Sequence, residues 1–366
     1  MSGSSEKWRS ALFVNGVLAL LVLLWMVPTI GLFVSSFRDR FEIQTSPWWN
    51  IFPHREWQVV QEIDPRAEGL DATAPMDIFG VTATFEELRE GVETPDGKRV
   101  QWIGNRRIGR IEVQERVWAM DANFTLANYA QVLQGKDFEY QRPDGTVEII
   151  PGDNFSIALF NSLAVAIPAT VIPILIAAFA AYGFAWMNFP GRRTLFTLVV
   201  ALLVVPLQVA LVPLLRDYKA LGLNGTFLAI WLAHTGFGLP LATYLLFNYI
   251  STLPRETLES AFIDGASHFT VFTRLILPLS VPALASFAIF QFLWVWNDYL
   301  VALIFLGGDR NFQVVTMRLA AIVGDRGQDW HLLTSGAFVT MLLPLLVFFS
   351  LQRYFIRGLL AGSVKG

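Results

Sequence analysis

The chain has no cysteine among its 366 residues, which excludes disulfides, metal–thiolate sites and thiol chemistry. Three catalytic signatures are also absent: the phosphate-binding Gly-x-x-x-x-Gly-Lys-Ser/Thr sequence, the His-Glu-x-x-His zinc motif and the Gly-x-Ser-x-Gly nucleophile turn. The chain is therefore not expected to be an enzyme or to hydrolyse ATP by the usual route. Charged residues are scarce as well, at 16% of the sequence.

Apolar residues, by contrast, make up 54% of the chain, and Phe and Trp alone number 30 and 12. This composition predicts an all-α polytopic membrane protein. A helix needs about 20 apolar residues to cross the hydrocarbon core, and six segments meet this requirement. The predicted spans are about Ala11–Ser35, Phe155–Met187, Leu195–Leu215, Phe227–Ile250, Leu275–Leu306 and His331–Phe355. The first is too long for a signal peptide and lacks a small-x-small cleavage site, so it is expected to be retained.

The short loops carry an asymmetric charge that predicts orientation. Basic residues precede span one and follow spans two, four and six, which places these loops and both termini in the cytoplasm. The loop Asp309–Trp330, on the predicted opposite side, contains arginines as well, but an equal number of aspartates offsets their charge. We expect a multi-pass membrane protein.

The long interval after span one is polar and acidic. Residues 37–154 carry 13 Lys/Arg and 21 Asp/Glu, whereas the remainder has 14 and 9. Alternating stretches such as Arg110–Trp118, with turn signals at Pro95-Asp96-Gly97 and Pro143-Asp144-Gly145, predict a small, mostly β insert outside the membrane. The alternative is a disordered loop, which the five tryptophans of 48–118 disfavour. The predicted parts are thus 1–36, the insert 37–154 and a core 155–366, with a loop 251–274 and a tail 353–366.

That loop, between spans four and five, is polar and amphipathic. Its small or apolar residues recur at i, i+3, i+4 and i+7: Leu258, Ala261, Phe262 and Gly265. This spacing predicts one helix face, with Pro254 at the helix start and a turn at Gly265. Periodicity alone leaves open a helix that simply lies on the bilayer surface.

Four sets of residues resemble ATP-binding cassette (ABC) importer permeases of the maltose type. The loop motif Glu259-Ser260-Ala261, Gly265 and Leu275–Pro278 is similar to the family's Glu-Ala-Ala loop, with Ser in place of the second Ala. Residues 180–185 with 189–192 resemble the end of span two in carbohydrate permeases, Trp296–Leu300 resembles their fifth span, and Gln352–Gly366 resembles their tail. The long insert is similar to the α-glucoside branch.

The resemblance implies a carbohydrate importer of a bacterial inner membrane, and it also implies the importer's partners. These would be a second related permease, two ATPase subunits that bind ATP and Mg, and an extracytoplasmic solute-binding protein. The chain itself would hold no cofactor or metal, and no nucleic acid partner is expected. The residues implied to contact the ATPase are Glu256, Glu259, Ser260, Ala261, Phe262, Asp264 and Gly265.

Polar groups inside spans are costly and mark candidate substrate contacts. In span five Gln291, Trp294 and Asp298 share one predicted helix face, with Asn297 beside it, and span four adds Tyr244 and Asn248. Amides, a carboxylate and an indole suit a sugar's hydroxyls and C–H faces. The alternative is that these groups satisfy neighbouring helices. His234 is a weaker candidate.

Two other classes of protein are disfavoured. An aspartyl intramembrane protease needs two carboxylates at one site, and Asp298 is the only acid well inside a predicted span. An ion-coupled secondary transporter usually has an intramembrane relay and two related halves, neither of which is evident. An importer for a different small polar solute stays open.

Overall fold

The computed structural model describes residues 2–134, 137–141, 146–150, 154–325 and 329–361. Contacts divide the chain into two compact units, Met1–Thr125 and Leu126–Gly366. Helices dominate the described residues, and the strands are concentrated in the first unit. The predicted turn Pro143-Asp144-Gly145 and the last five residues lie outside the described residues.

The first unit begins with α1, Ser2–Ser36, a continuous helix through Pro28. Two short helical segments follow, α2 at Glu42–Thr45 and a 3₁₀ turn at Trp48–Ile51. The strands and helix that come next are β1 His54–Ile63, β2 Met76–Ile78, β3 Val81–Ala83, α3 Phe85–Glu90, β4 Val92–Glu93, β5 Arg99–Gly104 and β6 Gly109–Ala119. A four-stranded antiparallel sheet has the order β1-β6-β5-β4, so β1 forms one edge.

The sheet of the first unit has a small apolar core on one side. Trp102 of β5 and Ile111 of β6 are buried against the β2–β3 hairpin and α3. Helix α3 begins with a capping box, in which Thr84 and Glu87 satisfy each other's backbone N–H groups. Predicted strand residues 110–118 lie within β6.

The second unit holds a helical bundle preceded by a short helix and hairpin. Its elements are α4 Ala127–Leu133, β7 Phe138–Gln141, β8 Val147–Ile150, α5 Phe155–Trp186, α6 Arg192–Ala201, α7 Leu207–Ala220, α8 Phe227–Ile250, α9 Arg255–Ile263, α10 His268–Val271, α11 Leu277–Leu279, α12 Val281–Asn297, α13 Leu300–Leu306, α14 Val315–Asp325 and α15 Trp330–Ala361. Long helices α5 and α8 pack along each other, and α12 packs on both and on α15.

Among the described residues, four helices are long and apolar enough to cross a membrane, or up to six if each of two bent pairs is one span. The four are α1, α5, α8 and α15, and they match predicted spans one, two, four and six. Helix α8 has the predicted bounds, Phe227–Ile250. The protein is therefore mostly helical and multi-pass.

The prediction of a single continuous helix at Leu195–Leu215 is wrong. Helix α6 passes through a 3₁₀ turn, and the chain then bends by 102° into α7. The cause is Pro206, which has no backbone N–H and forces the preceding Val205 out of the helical region, to ψ 118°.

Predicted span five, Leu275–Leu306, is also not one helix. Its helical path begins earlier, at His268, includes a π turn at Phe272–Ile276, and bends by 71° at Ser280 between Pro278 and Pro282. Helix α12 then ends at Asn297, and α13 is separate. Pro278 and Pro282 account for the bend, since each breaks helix hydrogen bonds, whereas the second break, after Asn297, was not predicted.

Candidate functional site

The polar loop between α8 and α9–α10 is folded and docked by its apolar face. Pro254 is the N-cap of α9, and Leu258 is 1% exposed within a core formed by the ends of α5, α8 and the start of α12's helical path. Ala261 and Phe262 pack against the same core. The predicted helix face is confirmed for these three residues. Gly265 lies beyond the helix end, because α9 stops at Ile263.

Gly265 forms the turn that joins α9 to α10. Its φ is +82°, a conformation in which a Cβ is strained. Two hydrogen bonds close the end of α9: the N–H of Gly265 donates to the Phe262 carbonyl at 3.0 Å, and that of Ala266 donates to the Ala261 carbonyl at 3.0 Å. This is a Schellman motif. Ser267 then caps α10 by accepting from the Thr270 N–H at 3.2 Å.

The other predicted loop residues point away from the core. Exposed side chains or backbone are found at Glu256, Glu259, Ser260, Asp264 and Gly265. Two large apolar residues are exposed beside them, Ile263 at 85% and Phe269 at 67%. Sequence reasoning missed both, although an apolar residue off the buried helix face is a readable signal. A surface of carboxylates, small residues and exposed apolar side chains suits a protein partner.

A hydrogen bond ties this loop to α5. The Tyr182 hydroxyl and the His268 Nδ1 atom are 2.8 Å apart, and the Phe262 ring lies edge-on to the His268 ring at 4.9 Å. One turn away, Phe179 of α5 stacks on Phe272 with ring centres 4.1 Å apart. The loop is thus attached to α5 as well as to the helices that flank it.

Gln291 is buried at the meeting point of three helices. Its amide nitrogen donates to the Ala169 carbonyl of α5 at 3.0 Å and to the His234 carbonyl of α8 at 3.4 Å. The same amide lies against the bare Cα of Gly238. These contacts favour the alternative role, in which Gln291 joins neighbouring helices.

Trp294 lies one turn further along α12 and meets α8. Its ring is edge-on to the His234 ring at 5.1 Å. The His234 side chain is fully buried, and neither of its ring nitrogens has a hydrogen-bond partner among the described residues. The structure therefore brings Gln291, Trp294 and His234 together.

Asn297 and Asp298 occupy a break rather than a helix face. Asn297 is the last residue of α12, is exposed, and donates to the Leu293 carbonyl at 2.8 Å. The prediction that Asp298 shares the face of Gln291 and Trp294 is wrong, because its backbone is extended after the helix end. Its Oδ1 instead accepts from the Val301 N–H at 3.0 Å, in the first turn of α13.

The second oxygen of Asp298 faces a small cavity. This Oδ2 atom is buried and has no hydrogen-bond partner among the described residues. Lining residues include Ser162 of α5, Ile230 of α8 and Trp296 of α12. Ser162 itself accepts from the Val315 N–H at 2.9 Å, so it joins α5 to α14.

The two candidates on α8 lie apart from this buried cluster. Tyr244 is 39% exposed, and Asn248, one turn later, is also exposed. Neither contributes to the contacts of Gln291 or Trp294. Both face outward from the single chain, on the same side of α8.

One group of possible metal ligands occurs in the described part of the first unit. Atoms of His54, Glu56 and Asp121 lie within 4.8 Å of one another. Asp121 already accepts a hydrogen bond from Ser46 at 2.9 Å and lies 3.9 Å from the Arg38 guanidinium. The buried cation beside it disfavours a metal ion, and no metal site is assigned.

The structure thus combines a bundle of helices able to cross a membrane, two of them bent pairs, with a docked polar loop. Residues 163–360 match the family described as the binding-protein-dependent transport system inner membrane component. The chain belongs to this family. It is the permease subunit of an ABC importer and not an enzyme, since ATP hydrolysis resides in a separate subunit.

Two relatives are similar along nearly their whole length. The osmoprotective compounds uptake permease protein GgtD of a Synechocystis species is 46% identical, over 99% of this chain and 94% of its own. The α-glucoside transport system permease protein AglG of Rhizobium meliloti is 48% identical, over 95% of each chain. The melibiose/raffinose/stachyose import permease protein MelC of Bacillus subtilis is 31% identical, over 57% of this chain and 76% of its own. The predicted resemblance to carbohydrate permeases is confirmed.

Proposed function

We propose that this chain forms part of the pathway for an α-glucoside or a related sugar, together with a second, related permease. The observation that carries the sugar assignment is the similarity to AglG, named for α-glucoside transport, along 95% of both chains. The match to MelC, named for import of melibiose, raffinose and stachyose, supports the broader class of carbohydrate.

We assign six spans to the chain by counting each bent helix pair as one. The pairs are Arg192–Val204 with Leu207–Ala220, and His268–Leu279 with Val281–Asn297. The β-rich residues after α1 then form an extracytoplasmic insert, and both termini are cytoplasmic. The basic residues of the short loops support this orientation.

The loop 251–274 is proposed to bind an ATPase subunit through its exposed surface. Leu258 and Phe262 hold the loop to the membrane helices, while Glu259 and Ile263 face outward. Two ATPase subunits would bind ATP and Mg, and an extracytoplasmic binding protein would deliver the sugar. Closure of the ATPase pair would then move this loop, and with it α5 and α12.

Within the membrane, Trp294, Asn297 and Asp298 are the better candidates for sugar contact from α12. Asn297 is exposed and Asp298 has an oxygen with no hydrogen-bond partner in the described part of the chain, whereas the Gln291 amide nitrogen is already bonded to two helices. Tyr244 and Asn248 are exposed in the single chain and are suited to the second permease or to a shared cavity.

Two loop variants with matched controls test the ATPase assignment. Glu259→Lys and Gly265→Asp are expected to abolish ATP-driven uptake in vesicles while the protein still inserts. Glu115→Lys is an equivalent charge reversal on β6, and Gly222→Asp alters another glycine of positive φ in open space. Both controls should transport normally. Normal uptake by the two loop variants would refute the assignment.

A second candidate substrate follows from GgtD, which is named for uptake of osmoprotective compounds. Competition against uptake of a labelled sugar separates the two. Inhibition by maltose, trehalose or sucrose supports the α-glucoside assignment, whereas inhibition only by non-sugar osmolytes supports the alternative. Dependence on an ion gradient instead of ATP would contradict both.

A further inference from the structure

The end of the first unit next to α1 carries a group of exposed large apolar side chains. We call this surface, formed by residues 37–53 and 118–125, the base. Six large apolar side chains are exposed there: Phe41, Trp49, Phe52, Trp118, Met120 and Phe124, at 48%, 58%, 60%, 69%, 59% and 55%. Exposed apolar groups of this size and number indicate an interaction surface when they are contiguous.

Backbone hydrogen bonds bring these residues to one end of the unit. The N–H of Asp121 donates to the Asn50 carbonyl at 2.9 Å, which joins the end of β6 to the 3₁₀ turn. The N–H of Thr125 donates to the Phe37 carbonyl at 2.7 Å, directly after α1. The base is therefore built around the point where the chain leaves α1.

A close contact fixes the level of the base along α1. A Cβ placed on Gly31 would lie 2.7 Å from the Trp48 Nε1 atom, so the Trp48 ring rests on the helix at a residue that only glycine allows. Gly31 precedes the end of α1 at Ser36 by about 7.5 Å along the helix axis. Trp49, in edge-on contact with Trp48, thus lies beside the last turns of a membrane-crossing helix.

The charges of the base nearly cancel. Arg38 is buried and lies 3.9 Å from both the Glu42 and the Asp121 carboxylates. With Arg40 and Asp39, the base holds two basic and three acidic side chains. The Arg55 guanidinium lies 5.2 Å from the Trp118 ring centre, at the exposed end of β1. Tryptophan and arginine are the side chains that favour the headgroup level of a bilayer.

We propose that the base is seated in the headgroup region of the membrane, with Trp49 and Phe52 reaching the upper acyl chains. The partner is lipid, and the contact holds the insert at a fixed height at the end of α1. This inference rests on α1 crossing the membrane. It does not depend on the transported solute or on the ATPase loop, so its failure would leave the proposed function intact.

The absence of cysteine allows a site-specific test in the full transporter. Trp49→Cys carries a polarity-sensitive fluorophore in vesicles whose lipids bear nitroxide quenchers near the headgroup, and Phe52→Cys repeats the measurement. Partner subunits are used with their accessible cysteines replaced. Ile108→Cys is the control, because Ile108 is a 77% exposed apolar residue in the loop that joins β5 to β6.

The expected result is strong quenching by the lipid nitroxide at positions 49 and 52 and little quenching by iodide in the water phase. At position 108 the order should be reversed. Equal iodide quenching at all three positions would overturn the proposal, since the base would then be in water. Protection of positions 49 and 52 from both quenchers would also overturn it, because protein rather than lipid would cover them.

Discussion

Two glycines in α8, two residues apart, should respond in opposite ways to the same substitution. An added Cβ at Gly238 would lie 2.7 Å from both the nitrogen and the oxygen of the Gln291 amide, whereas one at Gly236 meets nothing within 4 Å. Because the two sites share one helix, the helical preference of alanine over glycine, about 1 kcal/mol, applies to both.

The structure gives the size of the difference between the variants. In Gly238→Ala the Gln291 amide must move away from the Ala169 and His234 carbonyls. Two interhelical hydrogen bonds in a membrane protein are worth about 0.6 kcal/mol each on average. Overpacking of a tight site costs about 1–3 kcal/mol. Together these give a Gly238→Ala variant about 2–4 kcal/mol less stable than Gly236→Ala.

Thermal unfolding of the purified chain in detergent measures this difference. With an unfolding entropy of about 2.1 cal/mol/K per residue, this difference corresponds to about 3–5 °C in apparent Tm for a chain of this size, with Gly236→Ala at or above the wild-type value. Adding Gln291→Ala should largely remove the loss of stability caused by Gly238→Ala, because the amide that clashes with the added Cβ is gone. A double-mutant cycle then measures the coupling energy between positions 238 and 291. Equal Tm values for the two alanine variants would refute the proposed packing.

Three further predictions concern the loop, the helix break and the insert. Tyr182→Phe removes the hydrogen bond to His268, worth about 0.5–1.5 kcal/mol, and should lower the sugar transported per ATP hydrolysed in vesicles; an unchanged ratio would mean that α5 does not follow the loop. Asp298→Ala should lower uptake and Asp298→Asn should restore it, because Asn keeps the oxygen that caps α13; equal loss in both would assign the role to the charge. In α3 the Thr84 N–H and hydroxyl hold the pKa of Glu87 below its ordinary value of 4.5. The hydrogen bonds to the Glu87 carboxylate therefore stabilise the start of α3 above pH 4.5, and this stabilisation is lost as the pH falls through the lowered pKa. Hydrogen exchange of residues 85–90 should therefore be faster in Thr84→Ala than in wild type at pH 7, with a smaller difference below pH 4, and a pH-independent difference would contradict this.

The sequence predicted the long helices well because their signals are local. Helix α8 begins after Thr226, whose side chain accepts from the Ala229 N–H at 3.2 Å, and its apolar run ends at Ile250. The loop face of α9 was equally readable, since Leu258, Ala261 and Phe262 follow the helical period. Each of these features is decided within about one helical turn.

The helix breaks could not be predicted in the same way, because proline alone does not decide them. In the described chain, five prolines lie inside long continuous helices and a sixth lies inside the shorter α7. The five are Pro28, Pro168, Pro173, Pro240 and Pro344, and the sixth is Pro213. At Pro206, by contrast, the same chemistry gives a bend of 102°. Neighbouring helices can satisfy the carbonyls that a membrane proline frees, so the outcome depends on tertiary packing.

In the candidate site, too, the residue types could be identified locally, whereas their contacts depend on residues distant in sequence. The residue types near Asp298 were identified from their cost inside a span, yet their roles depend on partners far along the chain. Gln291 bonds to a carbonyl 122 residues earlier, and Tyr182 meets His268 across 86 residues. A helical wheel drawn for span five placed Asp298 beside Gln291, and the break after Asn297 removed it from that face. Polar residues in a span therefore identify where to look, while the break decides which of them are free to bind a solute.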